Sequence, residues 1–247
     1  MARRASSPSD WTRRELLALP VAAALAACER RQVPGASRVL PRSAVCLYAA
    51  PDYGVDFSTV VGHGLDALGL DVRGKTVLLK PNLVEYGSDT VVNTSPAVIA
   101  GTATALLRAG AHQVSVGEAP AARRDLEYLL TATGLYDVMR DLRLAFTDLN
   151  HDDLRAVRLA SHFSTLETLH LPVSALDADL LVSMPKLKTH HWAGLTCGLK
   201  NLFGCVPGAV YGWPKNLLHF AGIDESIVDL AATLRPRLTI VDGVDCM

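Results

Sequence analysis

Short apolar runs alternate along the chain with longer segments whose apolar residues recur at helical spacing. The apolar runs predict strands at 44–49, 76–80, 113–117, 144–147, 180–184 and 238–241. The longer segments predict helices at 57–68, 96–109, 126–132 and 223–234, with a helical turn at 136–141. This regular alternation predicts an α/β fold with a largely parallel, helix-covered sheet.

Two segments depart from that alternation. Residues 154–160 and 168–173 predict a small two-stranded excursion outside the main sheet. The clearest helix, at 96–109, is preceded by Thr94 and Ser95, either of which can cap its first turn.

The N-terminal residues carry the pattern of an export signal. Arg13 and Arg14 precede an apolar run that ends in Leu25-Ala26-Ala27-Cys28, which is typical of a lipoprotein cleavage site. We therefore expect cleavage before Cys28, a lipid on its thiol, and export by the twin-arginine route to a membrane-anchored, periplasmic or extracytoplasmic location. The alternatives are a helical membrane anchor, for which the run is short, and a fortuitous alanine-rich terminus.

The same features divide the chain into three parts: an export signal peptide at 1–27, a tether at 28–41 and a single α/β domain at 42–247. Only residues 242–247 follow the last predicted strand, too few for the helix that normally covers a parallel strand. We therefore expect the domain to be truncated at its C-terminus. The alternative is a short edge strand that needs no cover.

Composition narrows the classes of partner and cofactor. Without residues 1–27 the chain has 20 basic and 23 acidic side chains, a net charge of −3, so nucleic acid is not an expected partner. Five cysteines without a C-x-x-C pair predict that this chain holds no iron–sulfur cluster. Cys197 and Cys205 can pair after export or stay reduced, and we favour buried thiols.

The most distinctive segment, 185–208, directly follows a predicted strand and concentrates three lysines, two histidines and an asparagine among glycines. Ligands of open α/β sheets bind where parallel strands end. Other polar residues that follow predicted strands are Lys80, Asn82, Glu118, Asp148 and Asp242. Asp148 is better explained by an ordinary turn, but the density of cations predicts a site for a small anionic molecule. Neither a Walker motif nor a dinucleotide fingerprint is present.

Roles can be assigned to these side chains as hypotheses. We expect Lys186 and Lys188 to bind the anion. Lys200 stands in an apolar, glycine-flanked context that favours an uncharged amine, which could act as base or nucleophile; alternatively its amine reaches water. His190 and His219 are candidates for proton transfer or for a metal. Further ligand-binding candidates are Asn201, Lys80, Asn82, Glu118 and Asp242, of which the two carboxylates would orient groups or balance charge.

Five short segments occur in the order, and with the residues, of a known family: Lys80-Pro81-Asn82-Leu83, 93–96, Gly117-Glu118-Ala119, 185–208 and 240–243. Together they resemble the domain of unknown function 362 family across residues 42–244. The resemblance implies an α/β architecture and a set of suspect residues, but no reaction. Some relatives carry ferredoxin-like modules, so a redox partner protein is an open alternative that the sequence does not identify.

A second, local similarity concerns the cofactor. Lys200, the segment 203–208 and His219 are similar to the lactate racemase family. That similarity implies a lysine linked covalently to a nickel-pincer-like cofactor and a histidine that binds nickel. The other catalytic histidines of that family have no counterparts here.

The sequence as a whole predicts an exported protein that touches the membrane through its lipid anchor only, with a Lys/His-rich cleft. We interpret it as an enzyme acting on a small anionic substrate. Two alternatives remain open: a solute-binding lipoprotein that uses the same lysines without chemistry, and a non-catalytic fragment of a longer protein.

Overall fold

The structure is a computed structural model that describes residues 43–87, 89–120, 124–212 and 215–247. Its strands are β1 Thr76–Pro81, β2 Gln113–Glu118, β3 Ala145–Asp148, β4 Leu154–Arg158, β5 Thr168–Pro172, β6 Leu180–Met184, β7 Lys188–His190, β8 Gly194–Thr196 and β9 Leu238–Thr239. Its helices are α1 Phe57–Leu68, α2 Pro96–Arg108, α3 Leu126–Ala132, α4 Leu135–Leu142, α5 Val173–Asp177, α6 Gly198–Asn201, α7 Gly208–Tyr211, α8 Asn216–Phe220 and α9 Ile223–Leu234, with a 3₁₀ turn at Leu202–Cys205.

The central sheet has five parallel strands in the order β3-β2-β1-β6-β9. The chain runs outward from β1 to β2 and β3 and then returns to β6 on the other side of β1. The carboxyl ends of β1 and β6, where Lys80 is paired with Ser183, therefore flank the crevice at which open α/β sheets bind ligands. Two antiparallel pairs, β4 with β5 and β7 with β8, lie outside this sheet.

Both faces of the sheet are covered, because alternate side chains of its central strands enter different cores. Val77 and Leu79 of β1 join the core built with α1, α2 and α4. Leu78 joins the second core, which contains residues of β5, the 3₁₀ turn and α9. The predicted α/β fold with a largely parallel, helix-covered sheet and a two-stranded excursion is confirmed.

The two long helices before and after β1 each begin at a side-chain cap, and the cap of α2 is one of the two that the sequence predicts. Asp56 Oδ1 accepts hydrogen bonds from the backbone N–H groups of Ser58 (3.0 Å) and Thr59 (3.3 Å) at the start of α1. Ser95 caps α2, and Pro96 occupies its first turn, where no intrahelical N–H bond is lost.

Three local predictions differ from the structure. Residues 44–49 form no strand, and Val45 and Leu47 are 87% and 95% exposed. That prediction was wrong because an apolar run forms a strand only where a neighbouring strand can pair with it. The last strand ends at Thr239, and a single bridge between Lys186 and Asp242 continues its pairing. The turn predicted at 136–141 is the eight-residue helix α4.

Cys28, the signal at 1–27 and the tether at 28–41 lie outside the described residues. Within the ranges that are described, no helix combines the length and apolar character needed to cross a membrane.

Candidate functional site

A buried ion pair lies at the carboxyl ends of β1 and β2. Lys80 and Glu118 are almost completely buried, and Lys80 Nζ lies 2.5 Å from Glu118 Oε2. The amine also donates to the carbonyl of Pro81 at 2.6 Å. The carboxylate accepts the backbone N–H groups of Leu83 (3.0 Å) and Ala119 (2.9 Å). A buried charge pair is tolerated where its remaining hydrogen bonds are satisfied in this way.

Gly204 covers this ion pair with bare backbone. A Cβ atom at Gly204 would lie 2.1 Å from Glu118 Oε1 and 2.4 Å from Lys80 Nζ, so no larger residue fits without a shift. The carbonyl of Gly204 accepts the backbone N–H of Ala119 at 3.2 Å. The glycine-rich segment therefore closes directly on the pair.

Asn201 connects the pair to β6. Its Oδ1 accepts from Lys80 Nζ at 3.2 Å, and its Nδ2 donates to the Lys80 carbonyl (2.9 Å) and to Ser183 Oγ (3.1 Å). Ser183 Oγ donates in turn to the Gly198 carbonyl at the start of α6. These bonds fix α6 and so fix the position of Lys200, the residue before Asn201.

Three more lysine amines surround the pair, and we call the group of Lys80, Lys188, Lys200 and Lys215 around Glu118 the lysine cleft. Lys188 Nζ donates to the Val92 carbonyl at 2.6 Å. Burial, with Lys200 and Lys80 nearby, lowers the pKa of Lys188 to about 8 against the opposing effect of Glu118.

Lys200 and Lys215 approach the same aromatic residue. Lys200 Nζ lies 4.6 Å from the centre of the Phe203 ring, and burial followed by the charge of Lys80 lowers its pKa to about 8. Lys215 Nζ donates to the Phe203 carbonyl, and burial lowers its pKa to about 7, with Glu118 opposing and Lys80 reinforcing the shift. At pH 7 these values leave about half of the Lys215 amine and about a tenth of the Lys200 amine uncharged.

Lys215 was not among the residues predicted from sequence. It precedes α8 in the left-handed backbone region, with φ of 67°, which is uncommon for a residue other than glycine and marks local strain. Sequence contained a signal for it, because Lys215 also lies in an apolar, glycine-containing stretch and is four residues before His219.

A series of rings borders the lysine cleft. The rings of His190 and His191 are stacked with centres 4.9 Å apart, and Trp192 lies 4.7 Å from His191 and 4.7 Å from His219. The His219 ring also contacts Phe203 at 5.9 Å, on which Lys200 rests. We call His190, His191, Trp192 and His219 the ring wall.

The two predicted histidines have different hydrogen bonds. His190 Nδ1 accepts the backbone N–H groups of Trp192 and Ala193, each at 3.2 Å, and burial with the cations around it lowers its pKa to about 4. His219 Nδ1 lies 3.1 Å from the Lys215 carbonyl, which fits an Nδ1–H donor and leaves Nε2 as an acceptor. Both rings can therefore take part in proton transfer through a nitrogen that faces away from these contacts.

The metal and cofactor hypotheses remain predictions. Among the residues that the structure describes, no group of three or more His, Cys, Asp or Glu side chains is arranged to hold a metal ion. His219 contacts the Phe203 ring that carries Lys200, so the two residues of the lactate racemase similarity are neighbours. Cys197 and Cys205 are free thiols, and burial raises the pKa of Cys205 to about 12.

Lys186 and Asp242 form a second buried network, separate in its contacts from the lysine cleft. Lys186 Nζ lies 3.2 Å from Asp242 Oδ2 and also donates to the Tyr53 hydroxyl. Tyr53 donates to Asp242 Oδ1 at 2.9 Å, and the Ser95 backbone N–H donates to Oδ2 at 2.8 Å. This closed network joins the edge of the sheet to the start of α2.

Asn82 lies beside the lysine cleft, after β1. Its backbone N–H donates to Thr94 Oγ1 at 2.8 Å, whereas its side-chain Oδ1 is buried and has no hydrogen-bond partner among the described residues. Asp148, interpreted as a turn residue, accepts the backbone N–H of Asn150 and contacts His151, as such a turn requires.

Comparison with known proteins agrees with the motifs. The family model described as Domain of unknown function (DUF362) matches residues 77–247, which include every residue of the lysine cleft. The chain belongs to this family. A curated relative, the thylakoid-associated protein sll1697 of Synechocystis sp. (strain ATCC 27184 / PCC 6803 / Kazusa), is 34% identical over 182 residues, which cover 69% of this chain and 52% of the relative.

The chain thus spans about half the length of the curated relative it matches. A crystal structure of a protein from Thermotoga maritima is similar over 74% of this chain and 50% of that protein, with 16% identity and a TM-score of 0.44.

Proposed function

We propose that this protein is an enzyme that binds a small anionic substrate in the lysine cleft and removes a proton from it with a lysine amine. The observation that carries the proposal is the charge imbalance of the cleft: four lysine amines gather around Glu118, the buried carboxylate of the group. The nearby Glu85 is exposed and pairs with Arg124. An anion that entered would supply the missing negative charge.

The proposed base is Lys215 or Lys200, because an amine must be uncharged to accept a proton and these two are partly uncharged at neutral pH. Lys188 and the charged fraction of the other amines would bind the anionic group. The Lys80–Glu118 pair would hold the cleft in shape, and Lys186 with Asp242 would support the sheet edge rather than bind ligand.

Binding of inorganic phosphate, measured by isothermal titration calorimetry, tests the cleft. We expect Lys200→Met and Lys215→Met each to weaken binding about tenfold, because each removes a charge-assisted hydrogen bond. Lys75→Met is the matched control, since Lys75 immediately precedes β1 at the opposite end of that strand. Equal binding by wild type and both cleft variants would contradict the proposal.

The base is tested by the pH dependence of lysine acetylation, read at each residue by mass spectrometry. We expect reactivity to rise near pH 7 for Lys215 and near pH 8 for Lys200. A rise near pH 10 for both residues would remove the base from the mechanism.

We further propose that the protein is exported and anchored to a membrane by a lipid on Cys28. Support comes from Leu25-Ala26-Ala27-Cys28 and from the relative that is named as thylakoid-associated. Mass spectrometry of the protein from membranes of its host should find an N-terminal, lipidated Cys28, and Cys28→Ser should move it to the soluble fraction. An unprocessed N-terminus in membrane-bound protein would refute the lipid anchor.

A further inference from the structure

The ring wall exposes more aromatic surface to solvent than large ring side chains usually do. Trp192 leaves 54% of its surface accessible, and His191 beside it is also exposed. An indole normally buries its large apolar faces, so an exposed Trp that meets the neighbouring rings at tilted and edge-on angles is a ready surface for another ring.

The wall is continuous with the lysine cleft. Trp192 contacts His219, and His219 contacts Phe203. The Lys200 amine also contacts the Phe203 ring. His190 is coupled electrostatically to Lys200 and Lys188, which places the near end of the wall beside the excess cations. A ligand that spanned both features would meet rings at one end and amines at the other.

His190, the ring of the wall whose pKa the Lys200 and Lys188 charges lower, is uncharged. Burial and the neighbouring amines keep His190 neutral at physiological pH. Neutral rings offer their faces to a planar, apolar group without repelling the cations or competing with them for the anion.

We propose that the ligand is a planar anion, an aromatic ring that carries a phosphate or carboxylate, with its ring on Trp192 and its anionic group among the lysine amines. This inference rests on the proposed function, which requires the anionic group only. The ring adds stacking contacts that are largely independent of the position of the charge.

Phenyl phosphate, cyclohexyl phosphate and inorganic phosphate distinguish a site that binds only an anion from a site that also binds a planar ring. The first two compounds have equal charge and similar size but differ in planarity. We expect calorimetry to show phenyl phosphate binding about tenfold more tightly than cyclohexyl phosphate. Trp192→Ala should abolish that preference and leave the affinity for inorganic phosphate unchanged, while Trp192→Phe should retain most of the preference. Tyr136→Ala is the matched control, because Tyr136 is 53% exposed on α4.

Equal binding of the two ring compounds, or a preference that survives Trp192→Ala, would overturn the planar ligand while leaving the anion site intact. Failure of all three compounds to bind would overturn the anion site and the planar ligand together.

Discussion

The two buried lysine networks of this protein differ in charge balance. In the first, Lys186 is paired with its own carboxylate, Asp242. The Tyr53 hydroxyl accepts a hydrogen bond from Lys186 and donates one to Asp242. In the lysine cleft, four amines share the buried carboxylate of Glu118. A closed, neutral network holds elements together, whereas an unbalanced one stores unfavourable electrostatic free energy that an anion can relieve.

Each network also reaches different parts of the fold. Asp242 receives the Ser95 N–H at the start of α2, so the closed network joins secondary-structure elements, and its two charged members, Lys186 and Asp242, are each only 1% exposed. Burial and the adjacent Asp242 raise the pKa of Tyr53, which keeps its hydroxyl a donor. The lysine cleft instead borders the ring wall, in which His191 and Trp192 are exposed.

The largest expected effect comes from making the same substitution in both networks. Lys186→Met should lower the free energy of unfolding by about 3–5 kcal/mol, because it leaves Asp242 buried without its cation. Lys200→Met should leave that free energy within about 1 kcal/mol of wild type or raise it, because it removes a cation that burial disfavours and adds a side chain that can pack on Phe203.

Urea denaturation at pH 7 measures both values. The double variant Lys186→Met/Asp242→Leu is the control for lost charge, and it should recover part of the stability because no buried charge is left alone. Equal destabilisation by Lys186→Met and Lys200→Met would remove the distinction between the two networks.

The second effect concerns the close approach of Gly204 to the Lys80–Glu118 pair. Gly204→Ala should cost about 1–3 kcal/mol, because the added Cβ would displace both charged groups from their hydrogen bonds. Gly62→Ala, in α1 with nothing within 4 Å of its added Cβ, should instead stabilise by about 0.5–1 kcal/mol. Thermal melts of both variants check the signs, and an unchanged melt for Gly204→Ala would contradict the tight packing.

Sequence predicted the sheet well where local signals were strong. The strands β1, β2 and β6 are apolar runs bounded by polar or glycine residues, and α2 has both a cap and a proline at its start. It missed the β7–β8 hairpin and the short helices between Gly198 and Phe220, because elements of three to five residues are too short to show a period.

The sequence predicted most residues of the candidate site, but it did not predict which of them contact each other. Lys80 and Glu118 were both named from strand ends, yet their pairing across 38 residues depends on the strand order. The division of Lys186 from Lys188 likewise follows from the bridge to Asp242, which no local pattern shows. Lys215 was not predicted because it lies outside the lysine-rich segment 185–208, and its burial depends on tertiary packing that no local pattern shows.

A smaller effect is expected from Tyr53→Phe in the closed network. The change removes a donor to Asp242 and an acceptor for Lys186 without changing the ring, so we expect a loss of about 1–2 kcal/mol in the free energy of unfolding. Tyr128→Phe, an exposed tyrosine on α3, is the matched control and should be neutral. Phosphate binding should not change in Tyr53→Phe. A loss of binding in this variant would mean that the closed network also supports binding in the lysine cleft.

The pH dependence of stability tests the charge imbalance of the lysine cleft in the unmodified protein. The pKa of Lys215 is about 7 in the folded protein against 10.5 for an ordinary lysine, so between these values the unfolded chain binds more protons than the folded one. Stability should therefore rise with pH from about 7 to 10.5, by at most about 1.4 kcal/mol per pH unit for this residue. Lys200 and Lys188 add to the rise above pH 8.

Urea denaturation from pH 6.5 to 10 should show this slope in wild type and a smaller one in Lys215→Met, whereas Lys75→Met should keep the wild-type slope. A slope that Lys215→Met leaves unchanged would mean that this amine is fully charged in the folded protein, and only Lys200 would then remain as the proposed base.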